Sequence, residues 1–188
     1  MTSRYLTLVV LLTAITVQGQ TKDESAVKPE IMNHIYIIGD SNQLNSLEKG
    51  KAAMVTKAKL AGFGGSSMGY IMDGNSSSVR INKSQPEFAT KMSDMAGDPM
   101  GYLKLYKFKT KDKGREASIS SSGAMGKNSS TNTEGIAFLV KNPSAGVFIL
   151  IPEKPLEPGE YGFINMMMVT GTGRKDMSYT VFAFGIDR

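Results

Sequence analysis

The chain has 188 residues, a net charge of +5 and neither cysteine nor tryptophan. That length fits one domain able to bury a core without covalent staples. The missing cysteine excludes disulfides, thiolate zinc sites and cysteine nucleophiles.

The first element in chain order reads as an export signal. Arg4 supplies a positive start, and residues 5–17 (YLTLVVLLTAITV) form an apolar run too short for a relaxed membrane span. Val17 and Gly19 place modest side chains where a signal peptidase reads, which predicts a signal peptide over residues 1–19 and a mature start at Gln20. The mature protein is then periplasmic or extracellular, with no transmembrane segment. No cysteine follows the run, which excludes a lipoprotein anchor. Residues 20–33 are polar and aperiodic and read as a flexible lead-in.

From residue 34 onward, short β-branched and aromatic runs alternate with turn residues. Residues 34–38 (HIYII) predict the first strand, stopped by Gly39 and Asp40. Residues 41–51 predict at most one helical turn, because Gly50 interrupts the spacing of Leu44 and Leu47. Residues 52–60 predict a second strand. Residues 62–78 are dominated by small side chains, with a tight turn at Asp73, Gly74 and Asn75. Short strands are expected at 79–82 and 87–91, and a longer one at 102–109 (YLKLYKFK). Residues 118–135 are rich in serine, threonine, asparagine and glycine and read as a long mobile loop. Strands at 135–141, 146–151, 161–169 and 178–186 complete the chain. Residues 147–151 and 181–184 are apolar on both faces, so those strands are expected to be covered twice. The pattern predicts a single all-β domain over 34–188, a two-sheet antiparallel β-sandwich of which an immunoglobulin-like arrangement is one form.

Within it, Leu156 to Tyr161 reads LEPGEY. Pro158 and Gly159 suit a type II turn, and Tyr161 opens the next strand. The motif resembles the tyrosine corner of immunoglobulin-like and fibronectin-like sandwiches, in which the hydroxyl bonds back to upstream backbone. The plainer alternative is an ordinary turn with a packed tyrosine beside it. A wider resemblance runs through IYII at 35–38, GNSSSVR at 74–80, Asp98 and Pro99, LKLYKF at 103–108, LEPGEY, and the closing FGID at 184–187. In these the chain resembles uncharacterised exported proteins of Bacteroidetes-type bacteria. The resemblance implies export and β-architecture and carries no activity.

Catalytic patterns are incomplete. Gly65 to Gly69 matches a nucleophile elbow centred on Ser67, but the only histidine, His34, lies upstream and no βαβ alternation surrounds it. His34 itself reads as a partly exposed strand residue. The glycines at 62–65 and Gly126-Lys127 lack the rest of a phosphate loop. Methionines cluster at 68 and 72, at 92, 95 and 100, and at 166–168. Thioethers can bind Cu(I), yet with one histidine and no cysteine they read better as core filling, Met166 and Met168 inward and Met167 opposite. No metal or cofactor is expected.

Removing residues 1–19 takes away Arg4 and leaves +4, and that whole excess sits in one stretch, with seven cations against three anions from Lys91 to Arg115. Tyr102, Lys104, Tyr106, Lys107, Lys109, Lys111, Lys113 and Arg115 interleave cations with aromatics, as surfaces for polyanions or glycans do. The bland counterpart is a solvated edge hairpin whose lysines discourage edge pairing. The expected function is that of an exported non-enzymatic binding or structural protein, contacting anionic polysaccharide or an envelope surface through this strand and not nucleic acid. The alternative is a hydrolase-type enzyme whose scattered carboxylates converge only in the fold.

Overall fold

The computed structural model describes residues 27–58, 65–93, 97–122, 129–132, 135–171 and 177–187. The expected export signal and its predicted cleavage point lie outside the described residues. Among the described residues thirteen strands follow in chain order: β1 Ile35–Ile38, β2 Leu44–Ser46, β3 Glu48–Ala58, β4 Ser66–Asp73, β5 Arg80–Ile81, β6 Phe88–Lys91, β7 Leu103–Lys111, β8 Gly114–Ser121, β9 Ser130–Thr131, β10 Phe138–Ser144, β11 Val147–Pro152, β12 Gly159–Thr170 and β13 Ser178–Ile186. Single 3-10 turns occupy Asp40–Asn42 and Pro99–Gly101.

The protein is an all-β sandwich. A five-stranded sheet, ordered β10-β11-β6-β1-β2, packs on a larger eight-stranded one. The larger sheet runs β12-β7-β8-β4-β3-β13, and β13 pairs again with β12, so six antiparallel strands close into a ring. This closure has no counterpart in the open two-sheet immunoglobulin arrangement. β7 and β8 pair only from Lys109 to Lys111 against Gly114 to Glu116 and then diverge. Along the widened gap β9 adds to β8, and Ile136 bridges to Leu105 of β7.

Strand alternation sorts the side chains into layers. Tyr106 and Phe108, Ala117 and Ile119, Tyr70 and Met72, Ala52, Ile164, Val181 and Ala183 fill the ring. The opposite faces of β7, β12 and β13 carry Leu103, Leu105, Tyr161, Phe163, Phe182 and Phe184, which meet Ile35, Phe88, Phe138 and Leu150 of the small sheet. Three strands are therefore covered twice, as the unbroken apolar run at 181–184 requires. β11 is also covered twice, because Ile149 faces a third cluster with Ile38, Ala89 and Val27. The ring leaves no room to spare: a Cβ on Gly162 would stand 2.8 Å from Val181 and 3.0 Å from Phe108.

Four expectations need correction. Residues 66–73 form strand β4, because Met68, Tyr70 and Met72 alternate inward and outweigh the surrounding glycine and serine. Ser118 to Ser121 belong to β8 instead of a mobile loop, since Ile119 is buried between outward serines, and Ser130 and Thr131 pair with it. The described part of the lead-in is docked: Val27 is 1% exposed, and Asn33 N–H donates to the Lys91 carbonyl at 2.7 Å. Gly159 is the first residue of β12, at φ +152, and not the third position of a type II turn, because pairing with Ile186 draws it into the sheet.

Candidate functional site

The predicted basic surface lies on β7 and β8, and the fold divides it. In an extended strand, interleaved residues point to opposite sides. Tyr106 and Phe108 therefore enter the ring while Lys107, Lys109 and Lys111 face outward. Tyr102 is buried between the sheets, its hydroxyl donating to Met92 Sδ at 2.6 Å, and burial followed by Asp98 raises its pKa. Lys104 is half-buried. Among the described residues β7 offers no basic aromatic face: its aromatics bury because alternation turns them from the lysines into the two cores.

Arg115 also leaves the surface. Its side chain is 1% exposed and closes one end of the ring. Nη2 donates to Glu48 Oε1 at 2.7 Å, Nη1 to Glu160 Oε2 at 3.4 Å, and Nε to the Gly74 carbonyl at 3.0 Å. Residues 74–79 fold over this end, and their backbone joins the network: Ser77 N–H donates to Glu160 at 2.7 Å and Ser78 N–H to Glu48 at 2.8 Å. Arg80 links Glu160 to Asp187, with its guanidinium lying against Gly185 where any Cβ would collide. Burial alone would raise the Glu48 carboxyl, but hydrogen bonds from Ser77, Arg115 and Ser78 outweigh it and hold the pKa low.

Sequence reading missed Glu48, Arg80, Glu160 and Asp187. They lie on four strands or strand ends far apart in the chain, and nothing local distinguishes them. Here carboxylates scattered along the chain converge on two guanidinium groups. Both Glu48 and Glu160 are committed to guanidinium partners, whereas an acid–base pair needs two carboxyls pushed to different tasks. The arrangement works as a charged plug for the ring.

Outside that plug, the tip of the β7–β8 hairpin remains basic. Thr110 Oγ1 donates to the Asn75 carbonyl at 3.2 Å and Asn75 Nδ2 to the Asp112 carbonyl at 3.3 Å, tying the hairpin to the loop beneath. Lys57 pairs with Glu116 at 2.7 Å and Lys107 with Glu157 at 2.8 Å. Lys109, Lys111 and Lys113 are exposed and have no ion pair among the described residues. Beside them lies an open groove of about 490 Å³, with Ile71, Asp73 and Asp112 in its lining alongside Lys57, Lys111 and Lys113.

The remaining candidates stay apart. Ser67 lies within β4, opposite Lys57 and Ser121. His34 sits between the rings of Tyr36 and Phe182, at 4.7 and 5.0 Å, and its Nε2 is buried without a partner. The methionines divide between packing and exposure. Met72 and Met92 are buried, Met68, Met166 and Met177 lie against the ring's core, and Met167 is 65% exposed. Tyr70, whose pKa burial and then Tyr106 and Tyr179 push up to about 12, donates to Met166 Sδ at 3.6 Å. Among the described residues no group of three or more His, Asp or Glu side chains could hold a metal ion. None of the described helical segments is long and apolar enough to cross a membrane. Tyr161, in the predicted corner, donates its hydroxyl to the Glu157 carbonyl at 2.8 Å. The chain matches no family model, no curated protein and no solved structure.

Proposed function

We propose that this is an exported, non-enzymatic binding protein that meets an anionic polysaccharide or envelope surface through Lys109, Lys111 and Lys113. One observation carries the reading. The surrounding cations Lys57, Arg80, Lys107 and Arg115 are each neutralised by a carboxylate, while these three are exposed without an ion pair among the described residues. Lys109 and Lys111 stand two residues apart on one strand face, about 7 Å along it, and Lys113 extends the row at the turn. A row of unpaired charges beside an open groove suits a repeating polyanion, which can cover it without entering a deep pocket. Such binding releases counterions and weakens with salt.

Retention on an anionic polysaccharide column in a salt gradient tests this. Replacing Lys109, Lys111 and Lys113 together by glutamine is expected to shift elution to clearly lower salt, with the unfolding midpoint little changed because exposed charges contribute little stability. Lys107→Gln, which removes a charge already paired with Glu157, is expected to move elution much less. Co-elution of the triple variant with the parent protein ends the proposal. Export is read from the mass of the secreted protein, expected to begin at Gln20.

A further inference from the structure

β7 starts beside the 3-10 turn at Pro99–Gly101 and ends at the lysine row, about 30 Å away at the rise of a strand. The surface at its starting end has the reverse character. Between that turn and β10 runs an open groove of about 650 Å³. Met100, Leu139, Val140 and Phe148 give it apolar walls, with Met100 43% and Leu139 54% exposed. Asp98 and Glu153 also line it, both exposed, and the described lining holds no lysine or arginine.

β10 is the outer strand of the small sheet. The Glu153 N–H donates to the Ala137 carbonyl at 3.1 Å, which fixes where the ladder bonds fall. With Leu139 opposite Ile151 and Val140 opposite Leu150, the alternation of an antiparallel pair puts the bonds to β11 on Leu139. The N–H and C=O of Val140 point the other way, to the open side. Beyond Val140 the edge is blunted by Lys141, Pro143 and a bulge before Ser144, the usual defences of an edge strand. Those defences begin only past Val140, and Asn142 within the bulge is itself part of the groove's lining.

From this we infer that the groove accepts an extended peptide segment of a partner protein, apolar at alternate positions and flanked by lysine or arginine, which adds as a strand beside Val140. Each property of the segment answers a feature of the site. Its backbone exchanges two hydrogen bonds with Val140, the economy of strand addition. Its alternate side chains settle between Met100 and Phe148. Its cations meet Asp98 and Glu153, in a protein that otherwise repels cations by its net charge of +5.

The probe is a short peptide, acetyl-Lys-Val-Thr-Val-Lys-amide, titrated into isotope-labelled protein. Amide shifts are expected to saturate at Leu139, Val140 and Met100, with a Kd on the order of 0.1–1 mM for so small a ligand. Two N-methylated analogues separate strand addition from simple apolar contact. Methylation on the edge facing β10 is expected to weaken binding roughly five- to tenfold, and methylation on the other edge to leave it nearly unchanged. Replacing the probe's lysines by glutamate is expected to weaken binding, and the pair Asp98→Asn with Glu153→Gln to erase that preference. Absence of shifts at millimolar probe overturns the inference, as does equal binding of both methylated analogues. Groove shifts that grow with protein concentration alone also overturn it, because they identify a second copy of the chain as the occupant.

Discussion

Tyr161 shows two requirements met by one side chain. Its ring is 2% exposed and stacks on Phe184 with centroids 5.7 Å apart, while its hydroxyl reaches the carbonyl of Glu157 four residues upstream. The Lys107 ammonium stands 5.6 Å above the ring and pairs with Glu157, so the same corner also positions a cation. Tyr161→Phe keeps the packing and removes the bond. The expected cost is on the order of 1 kcal/mol, read as a lower urea midpoint at unchanged slope. Equal midpoints would show that the Glu157 carbonyl is as well served by water. The corner was legible in LEPGEY because its donor and acceptor are sequence neighbours. Arg115 was not legible, since it reads as one more cation until Glu48 and Glu160 are brought to it.

At the scale of elements, the end of the ring is closed by charge instead of apolar side chains. β8 supplies Arg115, β3 begins at Glu48, β12 supplies Glu160, and residues 74–79 add backbone donors. Removing the central cation leaves Glu48 without a cation and Glu160 with Arg80 alone, in a site where Glu160 is 8% exposed. Arg115→Ala is therefore expected to destabilise by about 3–5 kcal/mol, far more than any of the exposed lysines. A loss below about 1 kcal/mol in a urea melt would mean that water enters and solvates both carboxylates, and the plug reading would fall. The elements that sequence reading missed have a common cause. In β4 the strand formers Tyr70 and Ile71 are hidden among serine, glycine and methionine, and at the end of β8 Ile119 is hidden among serines; both stretches become strands because neighbours on both sides offer ladder partners.

For the whole molecule, the buried groups predict how stability responds to acid. A histidine in the unfolded chain takes a proton near pH 6.5. His34 in the fold resists it, through desolvation first and then the charge of Lys49, so its pKa is lowered. Below about pH 6.5 the unfolded chain thus binds more protons, and stability falls until folded His34 is itself protonated. A second loss is expected below about pH 4.5, where unfolded glutamate takes a proton that Glu48 refuses until lower pH. Asp187, held low by Arg80, acts in the same direction. Thermal midpoints measured from pH 8 to pH 3 should show two steps, and His34→Gln should remove the first. A midpoint constant between pH 7 and pH 5 would show that His34 gains a partner or water on protonation.

The sequence by itself determined what is local. The length, the missing cysteine, the unbroken apolar run at 181–184 and the turn before Tyr161 pointed to an all-β sandwich, because period and propensity act over a few residues. Only the tertiary structure decided the closing of six strands into a ring, because that depends on β12 finding β7 on one side and β13 on the other. It also decided which cations are spent and which are free. Lys107 and Lys109 occupy equivalent places in the pattern of the strand, and a carboxylate fifty residues away neutralises only the first. Charge pairing is set by distances across the fold, and no spacing along the chain encodes them.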